Sequence, residues 1–380
     1  MQYALQTLWY DRQRYIPGVL AVAFSCLLIA LQCGLLLGLF SITSIPIDNS
    51  RADIWVTHPK VPSVDLGRPI PEAWMSYITN PEIERVEPFM EGFGYWDKPT
   101  GGTELVLIIG SRLEPNSLGA VKQLTPTLRA MLSEVGAVVV DDGEFDRLGI
   151  EKVGDVAEVF GHRLRIVGTV HGLRSLAGPY VFCSLETAKT LLRPPPDQTT
   201  FLLAKCANPA DANRIVDDLN KVDPVTHKRP YERKVSVLTA EQFSFNSRWH
   251  WLTKTKAGIA LGFAALLGLL VGAVVTSQTL YAATAAAIKE YAVLRAMGIP
   301  RWRMYLAVIS QSFWVGIAGI ALSVPAILAV ASIGSDLGAK VILPWWLWVG
   351  AVSITLCMAM ISGLFALRSL RSIEPVTLLR

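Results

Sequence analysis

Ala-Ala-Ile-Lys-Glu-Tyr-Ala-Val-Leu-Arg-Ala-Met-Gly-Ile-Pro-Arg-Trp-Arg, residues 286–303, stands between two long apolar runs. The Ala-rich part up to Met297 favours helix, Gly298 suits the left-handed position that ends one, and Pro300 suits the first turn of the next. Lys289, Arg295, Arg301 and Arg303 make the stretch basic. Lys and Arg concentrate in cytoplasmic loops of membrane proteins, so the chain is expected to leave a membrane here, bend and re-enter. On composition alone this is also what an ordinary cytoplasmic loop looks like.

Working outward, the 380 residues are 52% hydrophobic and 17% charged, beyond the roughly 45–50% apolar content of soluble domains. The excess lies in four runs, Gly18 to Phe40, Ala257 to Leu280, Met304 to Ile333 and Leu343 to Leu367. Each is long enough for a bilayer core, which needs about 20 residues. None contains Asp, Glu, Lys, Arg or His. Carriers and channels for protons or ions keep such groups at mid-depth, so those classes are disfavoured. The net charge of +4 is best read by position: Arg12 and Arg14 precede the first run, and Arg368, Arg371 and Arg380 follow the fourth. Both termini and the 286–303 bend are therefore expected inside, with residues 41–256 outside. Lys254 and Lys256 oppose that rule and read as headgroup contacts. The first run exceeds a signal-peptide core and has no Ala-x-Ala site after it, so it reads as a retained anchor.

The outside segment alternates strand-like and helical stretches. Strands are expected at Ile54 to Thr57, Arg85 to Gly94 and Glu104 to Ile109, with a helix at Glu72 to Ile78. Val156 to Phe160 and Leu164 to Val170 form a hairpin turned by Gly161-His162. Ser184 is placed to cap a helix ending at Leu192. Three prolines at 194–196 make a stiff linker, and a strand (200–205), a helix (210–219) and a strand (234–238) complete a β-α-β unit. Two lobes divided near 193–199 are expected. Thr239-Ala-Glu-Gln is a capping box. Helical sequence then continues past Trp249 and Trp251 to Met297, a rod of about 85 Å if unbroken. Leu5, Leu8 and Trp9 predict a short amphipathic helix on the inner membrane surface, and Trp345, Trp346 and Trp348 mark the outer interface of the last span.

Gly34 and Gly38, Gly258 and Gly262, and Gly268 and Gly272 form three Gly-x-x-x-Gly pairs in the first two spans. Such spacing lets helices approach closely, and it is expected to pack two copies of the chain together. Of five cysteines, only Cys183 and Cys206 are in the outside segment; they either pair or pack as small hydrophobes. No Cys/His cluster has metal-ligand spacing, no Gly-x-x-x-x-Gly-Lys-Ser/Thr loop binds phosphate, and the histidines lack a nucleophile motif. No metal site and no catalytic residue are expected. Lys228-Arg229 and Arg233-Lys234 read as a solvated face, not as a nucleic-acid site.

Glu290, Leu294, Arg295, Ala296 and Gly298 resemble the Glu-x-x-x-Leu-Arg-Ala-x-Gly signature of the FtsX-like permease family, the membrane subunits of MacB-type (type VII) ABC transporters. The run from Leu148-Gly149 through Gly154-Asp155 to Val167-Gly-Thr-Val is similar to the periplasmic domain of MacB-type permeases, and Glu374-Pro-Val-Thr-Leu-Leu-Arg380 is similar to the family's tail. Pro300 departs from the family, which often has a Ser there. The organisation, with no fused ATPase, is closest to DevC-like permeases. The resemblance also allows one lobe to be built from non-contiguous segments.

The resemblance implies an α-helical membrane protein with four transmembrane helices and a large α/β extracytoplasmic domain inserted between helices 1 and 2. Its expected parts are a cytoplasmic amphipathic helix (1–16), transmembrane helix 1 (17–42) and a MacB-like periplasmic domain (43–239). A stalk with transmembrane helix 2 (240–285), a cytoplasmic coupling helix (286–303), helix 3 (304–333), a short outside loop (334–342), helix 4 (343–367) and a cytoplasmic tail (368–380) follow. Lys289, Glu290, Tyr291, Val293, Leu294, Arg295, Met297 and Gly298 would couple to a separate ABC ATPase subunit that binds ATP and Mg, this chain holding no cofactor. ATP hydrolysis there would move the outside domain to export or extract a substrate by mechanotransmission. The expected setting is the inner (cytoplasmic) membrane, as a homodimer, with a membrane-fusion adaptor as a further partner. The alternative is an FtsX-like signalling subunit that regulates an outside enzyme.

Overall fold

Helix α1 (Arg12–Ile42) packs through Val22, Cys26, Ile29 and Ala30 against the last two membrane helices. The computed structural model describes residues 12–78, 80–175, 177–221, 235–286, 293, 297, 298, 300–336 and 340–371. The predicted amphipathic helix at Leu5 to Trp9, the basic cluster at 228–234 and the tail at 374–380 lie outside the described residues. The chain divides into two units, one of residues 1–38 with 256–380 and one of Leu39–Thr255.

In the outside unit, α2 (Ile45–Asp48) and β1 (Ile54–Thr57) are followed by β2 (Ile70–Pro71), α3 (Trp74–Ile78), β3 (Ile83–Asp97) and β4 (Thr103–Ser111). Next come α4 (Pro126–Leu132), β5 (Ala137–Asp141), α5 (Phe145–Leu148), β6 (Val156–Val159) and β7 (His162–Val170). The rest is β8 (Tyr180–Ser184), α6 (Leu185–Leu192), β9 (Gln198–Thr199), β10 (Phe201–Cys206), α7 (Ala212–Asn220), β11 (Ser236–Thr239) and α8 (Ala240–Lys254).

Nine strands form one sheet in the order β11-β1-β10-β3-β4-β8-β5-β7-β6, and β6 returns to pair with the end of β3 at Trp96↔Val159. Strands β3 to β8 thus close on themselves as a small barrel. Trp96, Val106, Ile108, Val138, Val140, Leu164, Ile166 and Val181 fill it, and the Trp96 indole N–H is satisfied by the Leu148 carbonyl at 3.1 Å. The first half of β3 lies instead in the open part of the sheet with β10, β1 and β11, one face of which is covered by α7 and α3 through Ile215, Val216 and Ile78. On the other face Trp55 meets Phe89, Phe201 and Phe243 at 5.3, 5.5 and 5.6 Å. Buried aromatics of this kind contribute about 1.5–3 kcal/mol each, with up to ~1.5 more per ring pair.

Residues Leu39–Thr255 form one compact unit around one nine-stranded sheet, with no division at 193–199. β1 sits between β10 and β11, antiparallel to both, and β9 pairs back with β2. The open part of the sheet therefore draws on both ends of the unit, and β3 is long enough to serve both it and the barrel. The capping expectations hold: Ser184 Oγ accepts from Thr187 N–H at 3.1 Å, and Thr239 and Gln242 form a reciprocal box. The hairpin turns one residue earlier than expected, on Phe160 and Gly161, both with positive φ. Two-residue hairpin turns of that type match strand twist. Cys183 and Cys206 are free and buried in different clusters, so no bridge joins them, and burial raises the Cys206 thiol to about 11.

The rod expected from Thr239 to Met297 is broken. Helix α8 ends at Lys254, Thr255 is extended (φ −95°, ψ 145°), and α9 (Lys256–Ala286) starts anew. Thr253 Oγ donates to the Trp249 carbonyl at 2.8 Å, and Thr255 Oγ to that of Trp251. Back-bonding threonines compete for the carbonyls that would continue the ladder. Phe243 of α8 is fully buried against the sheet, so this helix is part of the outside unit.

In the membrane unit, α9, α10 (Arg301–Asp336) and α11 (Trp345–Arg371) join α1. All four are long and apolar enough to cross a membrane. α11 packs beside α9 and α10, and Cys26, Ile29 and Ala30 of α1 pack with Ile327 and Ala351. The buried Ser25 hydroxyl lies 2.7 Å from the Ala21 carbonyl and 3.1 Å from that of Gly272.

The close approach expected between two copies at Gly34 and Gly38 is made inside one chain. A β-carbon at Gly38 would fall 1.6 Å from the Lys340 carbonyl oxygen, and one at Gly34 2.9 Å from Val341. Ile342 N–H donates to the Gly34 carbonyl at 3.1 Å. Residues 340–342 are therefore seated on the first span. Gly272 likewise faces Ser25, with a β-carbon 3.0 Å away, and Gly268 faces Gln32 at 3.6 Å. Gly258 is buried and Gly262 half-buried.

Two buried carboxylates in β3 differ in their surroundings. Glu87 has Arg85 Nε at 2.5 Å and the Leu118 N–H at 2.9 Å. Glu91, 4% exposed, has no hydrogen-bond partner on either carboxyl oxygen. Burial first, and the charge of Asp65 second, push the Glu91 pKa well above its ordinary 4.5.

Two predictions follow from these contacts. Gly38→Ala should cost about 1–3 kcal/mol by overpacking against a backbone oxygen, whereas Gly350→Ala, with nothing within 4 Å, should be neutral. Equal melting temperatures for the two variants in nanodiscs would show that the loop is not seated on the first span. For Glu91, the folded state holds its proton above the pH at which the unfolded chain releases it. Its contribution is complete below the ordinary carboxylate pKa and is lost as pH rises through the raised one, at about 1.4 kcal/mol per pH unit. Glu91→Gln should flatten stability against pH above the ordinary carboxylate pKa and raise the melting temperature at the upper end of that range. Parallel wild-type and variant profiles would mean that Glu91 ionises normally.

Candidate functional site

Of the bend that the sequence singles out, Val293, Met297 and Gly298 are described, while Lys289, Glu290, Tyr291, Leu294 and Arg295 lie outside the described residues. The Met297 N–H donates to the Val293 carbonyl at 3.1 Å. That is the bond of one α-helical turn, so the two side chains share a face. Both are turned outward, at 50% and 66% exposure. Gly298 follows with φ +86°, and a β-carbon there would meet nothing within 4 Å. Conformation, not space, is what demands glycine: the left-handed position ends the turn without a Cβ clash.

Pro300 then opens α10, its carbonyl accepting from Arg303 N–H at 3.0 Å. A residue at a helix start has no intrahelical use for an N–H, so proline costs nothing there. Trp302 is 57% exposed, and the Arg303 guanidinium lies 5.4 Å from its ring centroid. The described part of the bend thus presents Val293, Met297 and Trp302 to the outside of the chain, with Arg303 beside Trp302. Met, Trp and Arg are the residues enriched at the centres of protein interfaces. Trp302 was not singled out from sequence, although a Trp held between Arg301 and Arg303 is a signal for such a surface.

Among the described residues no three His, Cys, Asp or Glu side chains gather where a metal ion could be held. His171 lies on the exposed surface of the outside unit with Nδ1 2.9 Å from Asp142, whose hydrogen bond raises its pKa.

Residues 262–375 match the FtsX-like permease C-terminal family. An uncharacterised ABC transporter permease of Methanocaldococcus jannaschii is 23% identical over 244 residues, which cover 60% of this chain and 58% of that one. The chain therefore spans less than two thirds of that relative's length. Among solved structures, the periplasmic region of MacB from Actinobacillus actinomycetemcomitans is 12% identical with a TM-score of 0.34, covering 51% of this chain and 92% of its own. The extracellular domain of the noncanonic ABC-type transporter YknZ from Gram-positive bacteria is 8% identical with a TM-score of 0.33, covering 49% and 99%. The family match runs through the bend and the last two spans, so residues 262–375 carry an FtsX-like permease C-terminal domain, in a chain that also has four apolar helices and an α/β outside unit.

Proposed function

We propose that this chain is the permease subunit of an ABC transporter and that its 286–303 bend docks on a separate ATPase subunit. ATP binding and hydrolysis there move the bend, and the motion passes through the membrane helices to the outside unit, which exports or extracts a substrate without opening a polar path through the spans. The observation that carries this reading is the outward-facing Val293–Met297 turn closed by left-handed Gly298, inside the matched family region. An exposed Met and Val beside basic groups fit a protein groove better than lipid headgroups, which reward the charges but not the apolar side chains.

The break at Thr255 changes how motion is passed on. A continuous helix would transmit push and rotation alike, whereas an extended residue between two helices transmits displacement more readily than torque. Homodimerisation stays part of the proposal, but with Gly34 and Gly38 occupied inside the chain it draws on another face. Ile259, Phe263, Leu266, Leu270 and Val274 of α9 are each more than half exposed and form that face. A membrane-fusion adaptor outside, and an inner-membrane setting with both termini in the cytoplasm, complete the reading.

Met297→Glu is the direct test. Truncating an interface anchor commonly costs at least ~2 kcal/mol, about 30-fold in affinity, and a buried carboxylate costs more. The variant should keep the melting temperature and oligomeric state of the wild type but lose co-purification with a co-expressed ABC ATPase subunit. Full ATPase binding by this variant sinks the docking assignment. Topology is tested separately through Asn116, which is exposed in the outside unit: Asn116→Cys should react with a membrane-impermeant maleimide in intact spheroplasts, and reaction only after lysis would invert the orientation.

A further inference from the structure

Helix α8 carries an aromatic stripe that the outside unit leaves uncovered. Phe243, Ser244 and Ser247 face inward, while Phe245 and Trp249, one turn apart, are 61% and 55% exposed. Their rings stack, with centroids 6.1 Å apart and planes at 15°. A stacked pair at this spacing is a preformed, rigid apolar surface.

Three observations say what covers it. The first is position. Trp249 stands five residues before Lys254, about 7.5 Å along the helix at 1.5 Å per residue, and the apolar span begins at Lys256, two residues beyond Lys254. The polar layer on each side of a bilayer core is about 5–8 Å thick, so chain connectivity keeps Trp249 at or near that layer, with Phe245 one turn further along the helix. The second is charge. No Asp or Glu occurs from Gln242 to Lys289, while Arg248, Lys254 and Lys256 do; Arg248 is engaged with Asp48 at 2.6 Å, and Lys254 and Lys256 are exposed. A second copy meeting this face would set lysine against lysine, whereas lipid phosphates complement it. The third is residue type: indole rings prefer the membrane–water interface, where one edge is apolar and the N–H stays wet.

We propose that the Phe245–Trp249 face of α8 rests in the outer headgroup layer of the membrane, with Lys254 on lipid phosphate. The proposal concerns lipid and not the ATPase, so its failure leaves the docking assignment untouched.

The test uses the full chain in nanodiscs of mixed zwitterionic and anionic phospholipid, in a Cys357→Ser background. A nitroxide is attached at Phe245→Cys or at Trp249→Cys, with the other aromatic retained, and at Asn116→Cys as a water-exposed reference. Collision with oxygen should exceed collision with a polar nickel chelate at 245 and 249 by several-fold relative to Asn116, and Lys254→Gln should shift both labels toward the nickel reagent. Nickel-dominated collision at both sites, equal to Asn116, overturns the proposal. So does loss of access to both reagents, which means a protein covers the face, and dipolar broadening between labels identifies that protein as a second copy.

Discussion

Close backbone approach to the first membrane helix is the constraint on which the membrane unit depends. Lipid tails are as apolar as leucine, so burying side chains between helices yields little, and packing must come from contact area and backbone polar groups. Gly34 and Gly38 let the 340–343 segment lie on α1, with the Ile342 N–H on the Gly34 carbonyl. Gly272 admits Ser25, whose hydroxyl bridges to the Gly272 carbonyl, and Gly319 admits Val22, with a β-carbon site 2.7 Å from it. Non-helical backbone in a membrane protein is tolerated only where protein covers it. The seat on α1 gives the short loop that cover.

The outside unit depends in a similar way on one element shared by two structures. Strand β3 gives its first half to the open sheet and its last residues to the closed barrel. Gly92 and Gly94 in it leave room for Leu192 and Ile108, where β-carbons would come within 2.9 and 2.7 Å. The open sheet and the barrel are thus joined by covalent strand and by ladder hydrogen bonds. Glu91 sits in that shared strand without a hydrogen-bond partner on its carboxyl. An unpaired buried carboxyl is a cost that a purely structural strand has no reason to carry, which makes its titration informative about the unit as a whole.

Where the outside unit meets the second span, the chain changes character within three residues, from a helix packed on a sheet through extended Thr255 to an apolar helix. The hydroxyls of Thr253 and Thr255 mark the place.

Much of this protein is written locally. Four spans are legible because a run of some 20 apolar residues has few other stable fates. The caps at Ser184 and Thr239, and the stop at Gly298, are legible because each depends on one residue's own backbone or hydroxyl. Strand ends came within a few residues of expectation for the same reason. What the chain alone did not disclose was partnership. Gly34 and Gly38 announce close approach but not to what, since small residues welcome a second copy and a loop of the same chain equally. The placement of β1 between β10 and β11, and the barrel closure at Trp96, join residues tens of positions apart through ladders that any extended strand can make. At Thr255 the local pattern favours continued helix, and the packing of Phe243 under the sheet, together with two threonine hydroxyls competing for backbone carbonyls, ends it. Local signals thus determined the elements and their ends, and tertiary contacts decided which surfaces meet, because packing is a property of pairs that no single segment carries.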